Sequence, residues 1–144
     1  MAAILLDSKT SQNASYANSI NVPILVINTP NLIAQQTLDL SAGVAGQTRV
    51  EFTGVAAVQL PLIPLLTTVT VFVTRGLTAG DVNVFSAASN LSLSVLGPQL
   101  ISFSGSDFNA PNIANQAYSV WIQTSAVGTI RVGPESFNFT AFTN

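Results

Sequence analysis

The sequence predicts an all-β domain, a jelly-roll β-sandwich of roughly 8–10 short antiparallel strands, and three observations carry that reading. Val, Ile, Thr, Phe, Tyr and Trp, the residues that suit a pleated and half-buried surface, make up 50 of the 144 positions. Runs of alternating apolar and polar residues recur between turn signals rich in Gly, Pro and Asn. No stretch shows the helical period over a useful length.

In chain order, residues 1–20 stand apart as a connector arm, and residues 21–144 form the domain. Ala2, Ala3, Ile4, Leu5 and Leu6 are an apolar tip followed by small polar residues, so the arm reads as a tether whose tip docks into a neighbouring subunit, with folding back on its own domain as the other reading. Fully extended at about 3.3 Å per residue, Ser8 to Ser19 crosses on the order of 40 Å, enough to reach the next molecule. Val22 to Asn28 is nearly continuously apolar, which suits a strand buried on both faces or paired at an interface. Leu32 to Leu40 is a second strand. Arg49 to Thr53 alternates cleanly, with Val50 and Phe52 inward, and Gly54 interrupts the phase before Val55 to Val58 as a β-bulge would. Pro61 and Pro64 end that strand. Thr68 to Arg75 alternates for its whole length, and further strands are expected from Val82, over Leu91 to Val95, Leu100 to Ser104, Tyr118 to Gln123, Thr129 to Val132 and Ser136 to Phe142.

Composition excludes more than it affirms. Lys and Arg number 4, Asp and Glu 6, and His and Cys are absent, which removes imidazole bases, thiol nucleophiles, disulfides and His/Cys metal sites. The cations Lys9, Arg49, Arg75 and Arg131 are too few and too scattered to anchor nucleic acid or an anionic membrane. The longest apolar stretch, Val55 to Leu66, is broken by Gln59, Pro61 and Pro64 and falls short of the about 20 residues of a spanning helix. No secretory signal precedes Asp7 and Lys9. Ser, Thr, Asn and Gln together number 49, while mean hydropathy is +0.50 and net charge only −2. A surface with so few charges is expected to end against another subunit.

The acids Asp7, Asp39, Glu51, Asp81, Asp107 and Glu135 lie singly and read as turn formers and solvated caps, not as a hydrolytic pair. Asp81 and Asn83 offer too few oxygens for a calcium cage. No catalytic residue, cofactor or metal is expected, and the chain does not read as an enzyme. Tyr118 and Trp121 fall on opposite faces of one strand; together with Phe142 they are the candidate interface aromatics, with sugar stacking as the other use. Three Asn-X-Ser/Thr matches, at Asn13, Asn90 and Asn138, are what chance gives in so Asn- and Ser-rich a chain.

Val22-Pro23-Ile24-Leu25-Val26-Ile27-Asn28-Thr29-Pro30, the strand Thr48 to Gly54, the stretch Phe103 to Pro111 and the closing Val132-Gly133-Pro134 with Ser136-Phe137-Asn138 resemble small exosporium and endospore-surface proteins of spore-forming bacteria. The resemblance covers roughly residues 22–144 and departs in the absence of cysteines and of a collagen-like stalk. It implies a jelly roll like that of tumour necrosis factor and the complement globular head, and a homotrimer packed about a three-fold axis. Joined to the arm, it implies a spore-surface appendage fibre in which trimers stack head to tail, with itself as partner, a spore-coat or exosporium anchor and a tip protein at the ends, and neither nucleic acid nor membrane. Such a protein, released on mother-cell lysis, needs no secretion signal. A trimeric adhesin or lectin-like head is the alternative, and an icosahedral coat protein a third.

Overall fold

The computed structural model describes residues 2–144, and these form two antiparallel sheets with no helix. In chain order the strands are β1 (Ile4–Ala14), β2 (Val22–Pro23), β3 (Asn31–Leu38), β4 (Thr48–Gln59), β5 (Thr68–Arg75), β6 (Val82–Asn90), β7 (Gln99–Asp107), β8 (Gln116–Thr124) and β9 (Ile130–Thr143). One sheet runs β1-β9-β4-β7, with β2 added to β9, and the other runs β3-β8-β5-β6. Leaving out the two-residue β2, every connection except the β5–β6 hairpin passes from one sheet to the other, the winding of a jelly roll.

Alternation explains which residues meet between the sheets. Along β5, Val69, Val71 and Val73 are buried, and along β4, Val50 and Phe52 are buried while Glu51 and Thr53 face out. Phe52 sits at the centre of an aromatic cluster, with ring centroids 5.6 Å from Phe85 and 6.5 Å from both Phe103 and Phe139. Space for these rings comes from glycines. A Cβ on Gly105, which faces Phe52 across the strand pair, would lie 2.6 Å from the Phe85 ring, and one on Gly54 would lie 2.0 Å from Phe137 Cδ1.

Gly54 is therefore a packing glycine and not the bulge expected of it. It stays in register with Phe103 on one side and Phe137 on the other; the register of β4 with β9 slips later, between Ala56 and Val58. There the slip takes up residues 132–134 of β9, so the two strands expected at Thr129 to Val132 and Ser136 to Phe142 are one strand with an interruption. Gly133 stands at this point with φ 84°, in the left-handed region, and a Cβ there would meet Ser19 Oγ at 2.7 Å.

Three other expectations are corrected. The connector arm of residues 1–20 contains a strand of the body itself: β1 pairs antiparallel with β9 from Ile4↔Thr143 to Ala14↔Glu135 and supplies the outer strand without which the first sheet has no full half of the jelly roll. Met1 lies outside the described residues. The polar look of β1 follows from its place at an edge, where only Leu6 reaches the core and Ala14 is buried. Val22 to Asn28 is not a buried strand. After β2 it leaves the sheet as a loop in which Ile24 alone is buried, while Leu25, Val26 and Ile27 are exposed. Leu91 to Val95 likewise lies in the loop between β6 and β7.

Two stability effects follow from this packing. Gly54→Ala forces a methyl into the Phe137 ring and is expected to cost about 1–3 kcal/mol in chemical denaturation; an unchanged midpoint would mean that the ring moves freely aside. Removal of residues 2–14 is expected to lower the denaturation midpoint and to deprotect the β9 amides in hydrogen exchange, whereas a dispensable tether would leave both unchanged.

Candidate functional site

Four loops converge at one end of the sandwich: residues 24–30, 60–67, 91–98 and 125–129. Backbone hydrogen bonds bind them together, from Ile24 N to Thr129 O at 2.9 Å, Asn28 N to Thr124 O at 2.8 Å, Leu91 N to Thr67 O at 2.9 Å and Ser125 N to Thr68 O at 3.0 Å. The side chains they present are apolar and uncovered. Leu62 is 98% exposed, Leu96 88% and Ile63 86%, and Leu65, Leu66, Leu93, Val95 and Val127 join Leu25, Val26 and Ile27 on the same end. A shallow cleft runs between the second and third loops, lined by Leu60, Pro61, Leu62, Pro64, Leu93, Val95 and Leu96. None of the four loops contains an ionisable residue.

The charges are elsewhere. Asp7 and Lys9 lie on β1, Arg49 and Glu51 near the start of β4, and Asp39 and Asp81 in the loops at the opposite end. Asp39 Oδ1 accepts from Ser41 N at 3.0 Å and Ser41 Oγ at 2.6 Å, and Asp81 Oδ2 accepts from Thr78 N and Oγ1, both at 2.9 Å. In each case bonds to the carboxylate, the Ser41 hydroxyl foremost for Asp39 and the Thr78 amide for Asp81, hold the pKa below its ordinary value. These two acids are caps, as their turn contexts predict. The Asn83 Oδ1 atom accepts from Phe85 N at 3.2 Å.

The remaining four charges form two pairs turned inward, which corrects the view of Asp107 and Glu135 as solvated caps. Arg75 Nε and Nη2 grip the two carboxylate oxygens of Asp107, each at 2.7 Å, and Tyr118 Oη donates to Asp107 Oδ2 at 2.7 Å. Asn109 N adds a bond to Oδ1 at 3.1 Å. This clamp joins β5 and β8 of one sheet to the end of β7 in the other. Burial pushes the Asp107 carboxyl up, but the Arg75, Tyr118 and Asn109 bonds outweigh it and hold it below the ordinary value. Burial foremost, then the Asp107 carboxylate, pushes the Tyr118 phenol far up. The second pair is Arg131 with Glu135, at 2.7 and 2.6 Å, with Glu135 fully buried. Asn13 Nδ2 reaches both Glu135 Oε1, at 3.3 Å, and the Ile33 carbonyl, tying β1 to β9 and β3.

Among the candidate aromatics, Tyr118 is thus a core residue, completely buried, and not an interface side chain. Trp121 is on the outer face of its sheet, as the opposite-face reading expects, stacked on Phe72 at 6.4 Å and donating through Nε1 to Thr74 Oγ1 at 3.0 Å. Phe142 is partly exposed beneath the Arg49 guanidinium, 5.0 Å from its ring centroid. Ala2, Ala3, Ile4 and Leu5 are exposed at the end opposite the four loops, and Leu6 packs on the core.

No protein-family model and no curated protein matches this sequence. Solved structures share the fold at very low identity. Dimeric latent PorU from Porphyromonas gingivalis superposes with a TM-score of 0.57 at 7% identity over 96% of this chain and 13% of that one. The VP2 subviral particle of infectious bursal disease virus gives a TM-score of 0.54 at 12% identity over 95% of this chain and 37% of that one. The chain therefore spans well under half of either neighbour, and the likeness is one of fold.

Tyr118→Phe removes a bond to a charged acceptor and is expected to cost about 1.5–3 kcal/mol of stability. The Asp107 pKa is lower in the folded than in the unfolded chain, so its contribution is complete above the unfolded value near 3.8 and is lost as pH falls through the folded value. Denaturation midpoints in this acid range are expected to fall more steeply for the native chain than for Asp107→Asn, which is destabilised at neutral pH by about 3–5 kcal/mol because Arg75 keeps no charged partner. Parallel pH profiles would remove the clamp from the account of stability.

Proposed function

We propose that this chain is a structural subunit that assembles with copies of itself through the uncharged end formed by residues 24–30, 60–67, 91–98 and 125–129. The observation that carries the proposal is the exposure of Leu62, Ile63, Leu66 and Leu96 together on that end. Fully burying one such side chain contributes about 1.5–3 kcal/mol, and apolar side chains grouped on one end of a domain are a mark of an interaction surface. A copy of the chain is the partner favoured by charge: a bilayer surface with anionic lipids attracts Lys and Arg, and these loops have neither. Identical uncharged ends meet about a symmetry axis without repulsion.

The resemblance to spore-surface proteins supplies the setting, a homotrimer built into an endospore appendage fibre on the exosporium. The corrected place of β1 changes the mechanism. Residues 4–14 complete their own sheet, so the contact between subunits is assigned to the loop end and not to an arm.

Mass measurement in solution together with negative-stain microscopy tests this. The native chain is expected as trimers or larger assemblies, and Leu62→Asp with Leu96→Asp as smaller folded species with an unchanged β-type circular dichroism spectrum. A native chain that stays monomeric when concentrated overturns the proposal. Flotation of the native chain, but not the double variant, with neutral phosphatidylcholine vesicles would replace it by a membrane contact.

A further inference from the structure

We infer that β7 is a second self-association surface, pairing edge to edge with β7 of another copy to continue the sheet across both molecules. It goes beyond the loop-end contact and uses a different surface. Two sides of the sandwich have open edges, and they are treated differently. On the β1/β3 side, Asp7 and Lys9 place charge on the edge strand, the β1 register slips at Leu5/Asp7 and at Gln12/Ala14, and side chains lace the seam: Gln36 Nε2 donates to Thr10 O at 2.6 Å, Asp7 Oδ2 accepts from Asp39 N at 2.9 Å, and Asn13 reaches Ile33 O. Those are the devices by which natural sheets block further pairing.

The β6/β7 side has almost none of them. Residues 82–106 contain no ionisable group, and β7 has no proline. Its nine residues run in unbroken register with β4, from Val50↔Asp107 to Val58↔Gln99, so the edge is straight, with one side of its backbone unpaired in the sheet order. Among the described residues no hydrogen bond joins β6 to β7. Across the seam Phe85 stacks on Phe103 at 5.6 Å and lies against Gly105, and Ile101, Phe103, Val84 and Phe85 remain partly exposed there.

A second copy fits this edge by shape and charge. In an antiparallel pair centred on Phe103, Ile101 of one copy faces Gly105 of the other, a large side chain beside an absent one, and Ser102 faces Ser104 on the exposed side. No charge is desolvated within residues 99–106 and none is repelled. Pairing also covers the partly exposed rings.

The test uses the full chain carrying Leu62→Asp and Leu96→Asp, in which the loop-end contact is blocked. Sedimentation equilibrium at concentrations on the order of 100 µM is expected to show dimers, with β7 amides better protected from exchange than in dilute solution. Adding Ser102→Lys and Ser104→Lys, both at exposed positions, brings like charges face to face and is expected to weaken dimerisation about tenfold or more. A blocked chain that is monomeric throughout, or dimers indifferent to the lysines, overturns the inference. Neither result bears on the loop end, whose own failure shows as equal assembly of the native and Asp-substituted chains.

Discussion

The scarcity of charge, and its uneven placement, governs this molecule. Of ten ionisable side chains, four are drawn inside as the pairs Arg75–Asp107 and Arg131–Glu135, and the others lie on β1, the first residues of β4 and the loops at one end. The far end is left with Leu, Ile, Val and Pro. Hydration of the folded chain is therefore lopsided, and the apolar end has no long charged stems to lay over itself. The self-contact proposed above would cover this end.

The two internal pairs do structural work at different places. Asp107 accepts from Arg75 Nε and Nη2, from Tyr118 Oη and from Asn109 N, and through Arg75 and Tyr118 it fixes one sheet against the other at the charged end. Glu135, on the long strand β9, holds Arg131 and reaches β1 through Asn13. A buried pair of this kind contributes specificity of arrangement more than net stability, because desolvation offsets much of the attraction. Here the arrangement specified is the closure of the sandwich on both sides of β9.

Legibility in the sequence followed exposure. Strand β5 is read to the residue because it has one face in the core and one outside, and its alternation records that directly. Strand β1 was hidden: an edge strand with two register slips shows no period, and Ser, Thr, Asn and Gln made it look like a tether. The opposite error arose at Leu25, Val26 and Ile27, where an apolar run suggests burial and the chain instead presents it to the outside. Hydrophobic pattern alone does not say whether an apolar run enters its own core or stays outside, and Val22 to Asn28 suited either. The Asp107 clamp had no sequence signal, since Arg75 lies 32 residues away; Asp107 beside a predicted strand end was the one available hint.

The pairing of Ile4 with Thr143 has a consequence for biosynthesis. The first sheet has β9 between β1 and β4, so while the ribosome is still at work β1 has no strand of its sheet to bond with and β4 has only β7. Residues through Thr143 must emerge before that layer is complete, and pairings so distant in sequence make folding slow. Until then the nascent chain is a strand-rich and almost chargeless segment, the kind that depends on chaperones to stay apart from its siblings.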